Sequence, residues 1–179
     1  MKTLNYFVLV IVITIVGLTF TGCKKKKSEN PVENLPAATQ EGKNTFGCLI
    51  NGVAFIPGAR IGSLSHPLEL NINPFRLRGS DLTERDLVTP SIFIILNNIV
   101  PKEGTEYILN DAINSIGEYN ISINTNITSY KTNATNTGKL KITKYDMTNH
   151  IVSGIFSFDA VNTNGEKVEI REGRFDVKY

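Results

Sequence analysis

The two histidines of this sequence, His66 and His150, are the side chains best suited to acid–base chemistry at neutral pH. His66 precedes Pro67 in a loop rich in Gly and Ser, and His150 opens a strand directly after a turn, so we expect both to be exposed. The chain contains no nucleophile elbow, no phosphate-binding loop and no HExxH pair of metal ligands. The sequence therefore predicts a protein that is not an enzyme and that needs no metal or cofactor.

Cys48 is a second side chain with potential reactivity. It alternates with Phe46 and Ile50, which places all three residues on one face of a strand. A cysteine in such a position is typically a buried structural thiol, and burial disfavours the reactive thiolate. We therefore expect Cys48 to belong to the core.

Charged side chains of both signs concentrate in one short region. They are Arg76, Arg78, Asp81, Glu84, Arg85 and Asp86. Such a cluster can hold a ligand or a calcium ion, but its acidic residues do not follow the spacing of a calcium-binding loop. We interpret the cluster as a solvated loop with surface ion pairs.

The segment 120–137 (NISINTNITSYKTNATNT) is rich in Asn and Thr. Its composition predicts a polar edge strand that continues into a long surface loop, and loops of this kind often carry binding residues. Tyr119 and Tyr130 offer flat faces to a sugar, although the chain has no Trp. A glycan site in this segment is one hypothesis for the function.

The 19 basic and 17 acidic residues of the chain are unevenly placed. Lys2 and Lys24 to Lys27 are five of the basic residues, which leaves 14 basic against 17 acidic residues in 28–179. A folded part with net negative charge is a poor partner for a phosphate backbone. We therefore expect no nucleic-acid partner.

The first 22 residues have the pattern of an export signal. Lys2 gives a short basic start, and Leu4 to Phe20 is uncharged and mostly Val, Ile, Leu and Phe. This pattern predicts a signal peptide over 1–22. An uncleaved transmembrane helix is the alternative, since about 18 to 20 apolar residues can span a bilayer. Lys24 to Lys27 would then hold the rest of the chain in the cytoplasm.

The apolar run ends at Phe20-Thr21-Gly22-Cys23, which resembles the lipobox of bacterial lipoproteins. The resemblance implies that Cys23 is acylated and becomes the first residue of the mature protein; Phe20 stands where Leu is commoner. Lys24 to Lys27 would then lie at the membrane surface, where each adds about 1 kcal/mol of attraction to anionic lipids, or would act only as a spacer. Because 28–44 has two prolines and no apolar periodicity, we expect 23–44 to be a flexible tether.

From Thr45 onward the apolar pattern is that of strands. Thr45 to Ile50 and Val53 to Ile56 flank Asn51-Gly52, which predicts a hairpin with a type I′ turn. Further strands are predicted in 68–73, 75–78, 92–96, 107–109, 119–123, 139–143, 152–160 and 168–177, the last of them punctuated by Gly173. The part 45–179 is therefore predicted to be all-β, an antiparallel β-sandwich or a partly open barrel of about nine or ten strands.

Three parts of the chain are similar to a group of small lipoproteins of Bacteroidota that carry a domain of unknown function. They are the lipobox Cys23, the stretch 42–52 (GKNTFGCLING) and the stretch 138–177 (GKLKITKYD…SGIFSFDAVNTNGEKVEIREGRFDV). The similarity covers most of 36–179 and is poor across 58–135. It implies export, a lipid anchor and an all-β domain, and it implies no activity.

Together these features predict a protein of the cell envelope. The lipid at Cys23 is expected to anchor it to the outer membrane, with the domain facing either the periplasm or the outside. Two functions stay open. The first is a non-catalytic binding or accessory module for a glycan, a peptide or a small ligand. The second is a structural subunit that docks onto an outer-membrane protein complex through a β face or an edge strand.

Overall fold

The computed structural model describes residues 29–60, 64–83, 88–110 and 113–179. Within these ranges the chain forms twelve strands and one short 3₁₀ turn, Pro31–Asn34. The strands are β1 Thr45–Ile50, β2 Val53–Phe55, β3 Gly58–Ala59, β4 Leu68–Ile72, β5 Phe75–Leu82, β6 Val88–Leu96, β7 Glu106–Leu109, β8 Ser115–Ile123, β9 Asn126–Lys131, β10 Gly138–Asp146, β11 Ile151–Val161 and β12 Lys167–Lys178. The all-β prediction is confirmed. The count exceeds nine or ten because β3 is a two-residue strand and because 120–137 supplies the additional strand β9.

The strands form one open sheet in the order β2-β1-β12-β11-β9-β8-β6-β5-β3, with β10 between β11 and β7, and β4 beside β5. All pairs are antiparallel except β3 with β5. Between β11 and β9 the ladder consists of one pair, Val161 with Lys131. This junction divides the sheet into a front sheet (β2-β1-β12-β11-β10-β7) and a back sheet (β9-β8-β6-β5-β4, with β3).

The front and back sheets pack face to face. A Cβ added at Gly79 on β5 would lie 2.8 Å from the Phe46 ring on β1, and one added at Gly117 on β8 would lie 2.8 Å from the Phe158 ring on β11. Apolar side chains from both sheets form one core between them, including Phe46, Cys48, Phe75, Leu77, Ile92, Ile94, Leu140, Ile142, Phe156, Phe158, Ile170 and Phe175. The two-layer arrangement is the sandwich form of the sequence prediction.

Local backbone geometry follows the turn and glycine signals. Asn51 and Gly52 have φ values of 48° and 81°, as the predicted type I′ turn requires. A Cβ at Gly154 would lie 2.7 Å from the Lys141 carbonyl oxygen, so a glycine at this position permits the close approach of β10. Strand β6 begins before the predicted strand 92–96 and includes Pro90. At Pro90 the ladder with β5 has ended, so β6 pairs there with β8 alone.

Residues 35–44, which we call the N-terminal arm, lie against the outer face of the front sheet. Leu35 is buried, and a Cβ at Gly47 would lie 2.6 Å from Pro36 Cδ. These contacts fall within the segment that the sequence assigns to the tether. The predicted signal peptide over 1–22, the lipidation site Cys23 and the four lysines after it lie outside the described residues. Among the residues that are described, no helix is long and apolar enough to cross a membrane.

Candidate functional site: a basic groove on the front sheet

The outer face of the front sheet gathers basic side chains around the middle of β11. On β10, Leu140 and Ile142 are buried in the core, so Lys139 and Lys141 point outward. Lys139 pairs with Ser157 and Lys141 pairs with Ile155 on β11. The alternation of apolar and polar residues in the sequence predicts this part of the arrangement.

A β-bulge in β12 adds two arginines to the same face. Arg171 and Arg174 are three residues apart, so a regular strand would place them on opposite faces. At this point the register of β12 shifts against both β11 and β1, and Glu172 has a φ of 54°. The extra residue restarts the alternation, as a bulge does, and both arginines line the same groove as the lysines.

The groove has a volume of about 500 Å³. Ile155 and Ser157 form its floor, and lysines of β10 and arginines of β12 form its two sides. Ala38 of the N-terminal arm borders it, so the arm is part of the site. Four basic and two acidic residues line the groove, which therefore favours negatively charged ligand groups.

Three of the four basic groups already contact carboxylates. Lys139 Nζ lies 2.9 Å from Glu106 Oε1. Arg174 Nη2 lies 3.0 Å from Glu172 Oε2 on the same strand, β12. Arg171 contacts Asp159 and Glu169. Within the described part of the chain, the Lys141 ammonium and the Ser157 hydroxyl have no such side-chain partner. These two groups are available to a ligand.

Asp176 fixes the N-terminal arm beside the groove. The side chain is buried, and its carboxylate accepts five hydrogen bonds. The donors are Thr39 Oγ1 at 2.6 Å, Glu41 N at 3.0 Å, Gly42 N at 2.8 Å, Lys43 N at 3.1 Å and Ser153 Oγ at 2.7 Å. Burial alone would raise the pKa of Asp176, but the hydrogen bonds outweigh it and lower the pKa to about 2. We call this group of contacts the Asp176 network.

The histidines singled out from the sequence take no part in the groove. His66 and His150 are both exposed, as predicted. The His66 carbonyl accepts a bond from Arg78, and the His150 ring contacts the Tyr179 ring at 5.4 Å. Among the described residues, no group of three or more His, Cys, Asp or Glu side chains could hold a metal ion.

The prediction for Cys48 is confirmed. Its side chain is buried in the core between the two sheets, and it forms no disulfide. Burial raises the pKa of the Cys48 thiol, so the reactive thiolate is disfavoured.

The mixed-charge cluster does not form a single site in its described part. Arg78 on β5 pairs with Glu69 on β4 at 2.6 Å. Asp81 Oδ1, near the end of β5, accepts bonds from the backbone N–H and the side-chain hydroxyl of Thr83. Glu84, Arg85 and Asp86 lie outside the described residues.

The polar segment 120–137 forms the end of β8, a turn, β9 and a loop. The rings of Tyr119 and Tyr130 contact each other, with centroids 5.6 Å apart, and both pack partly against the core. Burial is the main reason why the pKa of Tyr119 is raised. Because the two rings cover each other, they offer less flat surface to a sugar than the sequence suggests.

The sequence does not single out the groove residues. Lys139 and Lys141 appear there only as the outward half of a strand pattern, and the arginines lie on either side of a bulge. Gly173, next to Glu172, is the one sequence indication of the bulge, since a glycine within a strand pattern often accompanies a bulge.

Comparison with known families identifies one domain. Residues 92–177 match the family described as Domain of unknown function (DUF6252). The DUF6252 match runs from β6 to β12 and includes all four basic groove residues and Asp176. It therefore confirms a domain of unknown function in the chain and carries no activity with it. No curated protein and no solved structure matches the chain.

Proposed function

We propose that this protein is a lipid-anchored, non-catalytic binding module of the cell envelope, and that its ligand binds in the groove of the front sheet. The observation that carries the proposal is the groove itself. Four basic side chains from two strands surround a floor that contains Ser157, and a backbone bulge is needed to bring the arginines there. Irregularities of this kind often re-aim side chains at binding sites.

The anchor in this proposal is the lipid on Cys23, with the outer membrane as its location. The support is the sequence from Phe20 to Cys23, with the apolar run before it and four lysines after it. The variant Cys23→Ser should leave the precursor without lipid and move the protein from the membrane fraction to the soluble fraction. If the variant still sediments with membranes in high salt and has the mass of the uncleaved chain, the transmembrane alternative replaces the lipid anchor.

Ligand binding is tested by thermal unfolding of the full-length protein in detergent. The probes are neutral and acidic oligosaccharides, peptides and peptidoglycan fragments. A ligand at one hundred times its dissociation constant should add about 2.7 kcal/mol to the free energy of unfolding. The shift should be lost in Lys141→Glu and kept in Lys102→Glu, because Lys102 is exposed but lies outside the groove. A protein that no probe class stabilises contradicts the proposal.

A structural subunit is the second candidate, and the open edge of β9 favours it. Among the described strands, one side of Asn126–Lys131 pairs with β8, whereas the other side pairs with β11 only at Lys131. Ile127 on this strand is 66% exposed. An open edge of this length can accept a strand from a partner protein.

Cross-linking in native envelopes distinguishes the two candidates. A photoreactive residue at Thr128 should form a specific product with one envelope protein if β9 is a docking edge, and a residue introduced at Lys102 is the control position. Absence of a Thr128 product, together with a ligand-induced shift, favours the binding module.

A further inference from the structure

We infer that the ligand of the groove is a segment of an acidic polysaccharide, held through carboxylate or sulfate groups that recur along its chain. This inference rests on the proposed function, because it specifies the ligand of the same groove.

The groove has an internal repeat. Lys141, Ile155 and Arg174 form one row across β10, β11 and β12, since each is the cross-strand partner of the next. Lys139, Ser157 and Arg171 form the next row, with Arg171 in the bulge opposite Ser157. Each row thus has a lysine on one side of β11 and an arginine on the other.

The dimensions of this repeat suit a polymer. Successive rows are two residues apart along the strands, which corresponds to about 7 Å, and the two basic sides are two strand spacings apart, which is about 10 Å. A ligand with one anionic group per repeat unit can therefore contact both rows. A single small anion would occupy only one of them.

The existing ion pairs of the groove are weak. The Lys139–Glu106, Arg174–Glu172 and Arg171–Asp159 pairs are all partly exposed, and pairs of this kind contribute little to stability. Ligand oxyanions can therefore compete for these groups at little cost. Arg171 Nη1 donates to the Phe158 and Ile170 carbonyls, which holds this arginine in place while its Nη2 exchanges a carboxylate partner for a ligand oxyanion.

The walls and floor of the groove suit a polysaccharide better than a peptide. Both sides of β11 and β12 are engaged in ladders at the groove, so these strands offer no open edge there to a peptide backbone. Ile155 is an exposed aliphatic side chain of the floor, but Phe156 is buried, so a peptide finds no deep apolar anchor. Charged groups and the Ser157 hydroxyl instead offer contacts to a hydroxylated, acidic chain.

The groove continues along β11 beyond its first hollow. A second hollow of about 240 Å³ shares Lys139, Ser157 and Arg171 with the first and extends toward Asp159 and Ile108. The combined path lies along β11 from Ile155 to Asp159, which corresponds to about 13 Å. This length accommodates more than one sugar unit.

The test measures affinity of the full-length protein in detergent for polygalacturonate, dextran sulfate, neutral dextran and polyglutamate. We expect binding to polygalacturonate or dextran sulfate, weaker binding at higher salt, and no binding to dextran. The double variant Lys139→Glu/Lys141→Glu should lower the affinity by about tenfold or more, which is equivalent to about 1.4 kcal/mol. The matched variant Lys102→Glu/Lys167→Glu, also at exposed positions outside the groove, should change it less than about twofold.

Each other outcome contradicts a defined part of the proposal. Equal affinity for polyglutamate, with the same loss in the groove variant, would assign the site to acidic peptides. Binding of neutral dextran that the groove variant abolishes would overturn the anionic ligand and leave the binding function intact. Binding of no probe of any class, including those of the thermal panel, would overturn the proposed function itself.

Discussion

The outer faces of the two sheets differ in regularity although both carry alternating charged residues. On the back sheet, Arg76 and Arg78 alternate with buried Phe75 and Leu77, and the ladders from β4 to β9 have continuous registers. On the front sheet, the ladders of β1 with β12, β10 with β11, and β11 with β12 each contain a shift. The regular ladders of the back sheet keep the strict alternation of faces, whereas the bulge in β12 brings Arg171 and Arg174 to the same face.

The N-terminal arm is a second difference between the two faces. On the front sheet, the arm covers Asp176 and Ser153 and leaves the groove open beside Ala38. The carboxylate of Asp176 therefore holds the N-terminal arm against the front sheet, which no exposed carboxylate of the described back sheet does. Four predictions test these differences, from the largest expected effect to the smallest.

Asp176→Asn should produce the largest loss of stability. The amide keeps the shape but removes the charge and turns an NH₂ group toward backbone N–H donors, which should cost about 3 kcal/mol. On the back sheet, Asp81→Asn keeps an oxygen that can accept the hydrogen bonds from Thr83 and loses only the charge, so it should cost about 1 kcal/mol or less. Denaturant unfolding at neutral pH measures both. Equal losses in the two variants would remove the distinction between the two faces.

The stabilisation by the Asp176 carboxylate should decrease at acidic pH. The pKa of Asp176 lies at about 2 in the folded protein, below its usual 3.8, so its ionised form stabilises the fold above about pH 4. This contribution, about 2 kcal/mol, should be lost as the pH falls from 4 through 2. The difference in unfolding free energy between the wild type and Asp176→Asn should therefore narrow between pH 5 and pH 2. A difference that stays constant would show that the charge of Asp176 does not act through these hydrogen bonds.

Glu172→Val tests the bulge in β12. The left-handed backbone at φ 54° is unfavourable for a β-branched residue, and we expect a loss of about 1 to 2 kcal/mol. Glu169→Val, on the regular part of the same strand, should change stability by about 0.5 kcal/mol or less. Thermal unfolding of both variants provides the measurement. If Glu172→Val proves as stable as Glu169→Val, the bulge can be straightened at low cost and does not constrain the arginines.

Lys139→Ala and Lys131→Ala compare, on each sheet, one ion pair whose lysine is exposed. Lys139 pairs with Glu106 at 2.9 Å and Lys131 with Glu118 at 3.7 Å. Both variants should change the free energy of unfolding by less than about 0.5 kcal/mol, because exposed pairs contribute little. Only Lys139→Ala should weaken binding of an acidic polysaccharide. A matching loss of affinity in Lys131→Ala would place the ligand elsewhere.

Much of the strand pattern could be predicted from the sequence. The limits of β1 and β4 follow from alternation and turns at Thr45–Ile50 and near Leu68–Ile72, and Asn51-Gly52 adopts the predicted conformation. Strand β9 lies where the sequence predicts an edge strand that continues into a loop. Its Asn and Thr residues suit a strand and a loop equally, so composition alone does not set the end of the strand. Burial of one face decides such cases, and β9 is mostly exposed.

The basic groove could not be predicted in the same way. Its lysines and arginines lie on two different strands, and no local pattern in the sequence places both pairs on the same face. Arg171 and Arg174 have a spacing that argues against a shared face until the bulge at Glu172 is known. The N-terminal arm has the composition of a tether, yet the Lys43 backbone N–H binds a carboxylate 133 residues away.

The sequence by itself determined the all-β class, the buried position of Cys48 and the turn at Asn51-Gly52, because each depends on interactions between near neighbours. Its predictions of a signal peptide and of lipid at Cys23 rest on local patterns of the same kind. Only the tertiary structure decided which strands that are distant in sequence are neighbours, where the bulges restart the alternation, and that the arm lies on Asp176. These features arise from contacts between distant segments, whose geometry depends on how the two sheets pack.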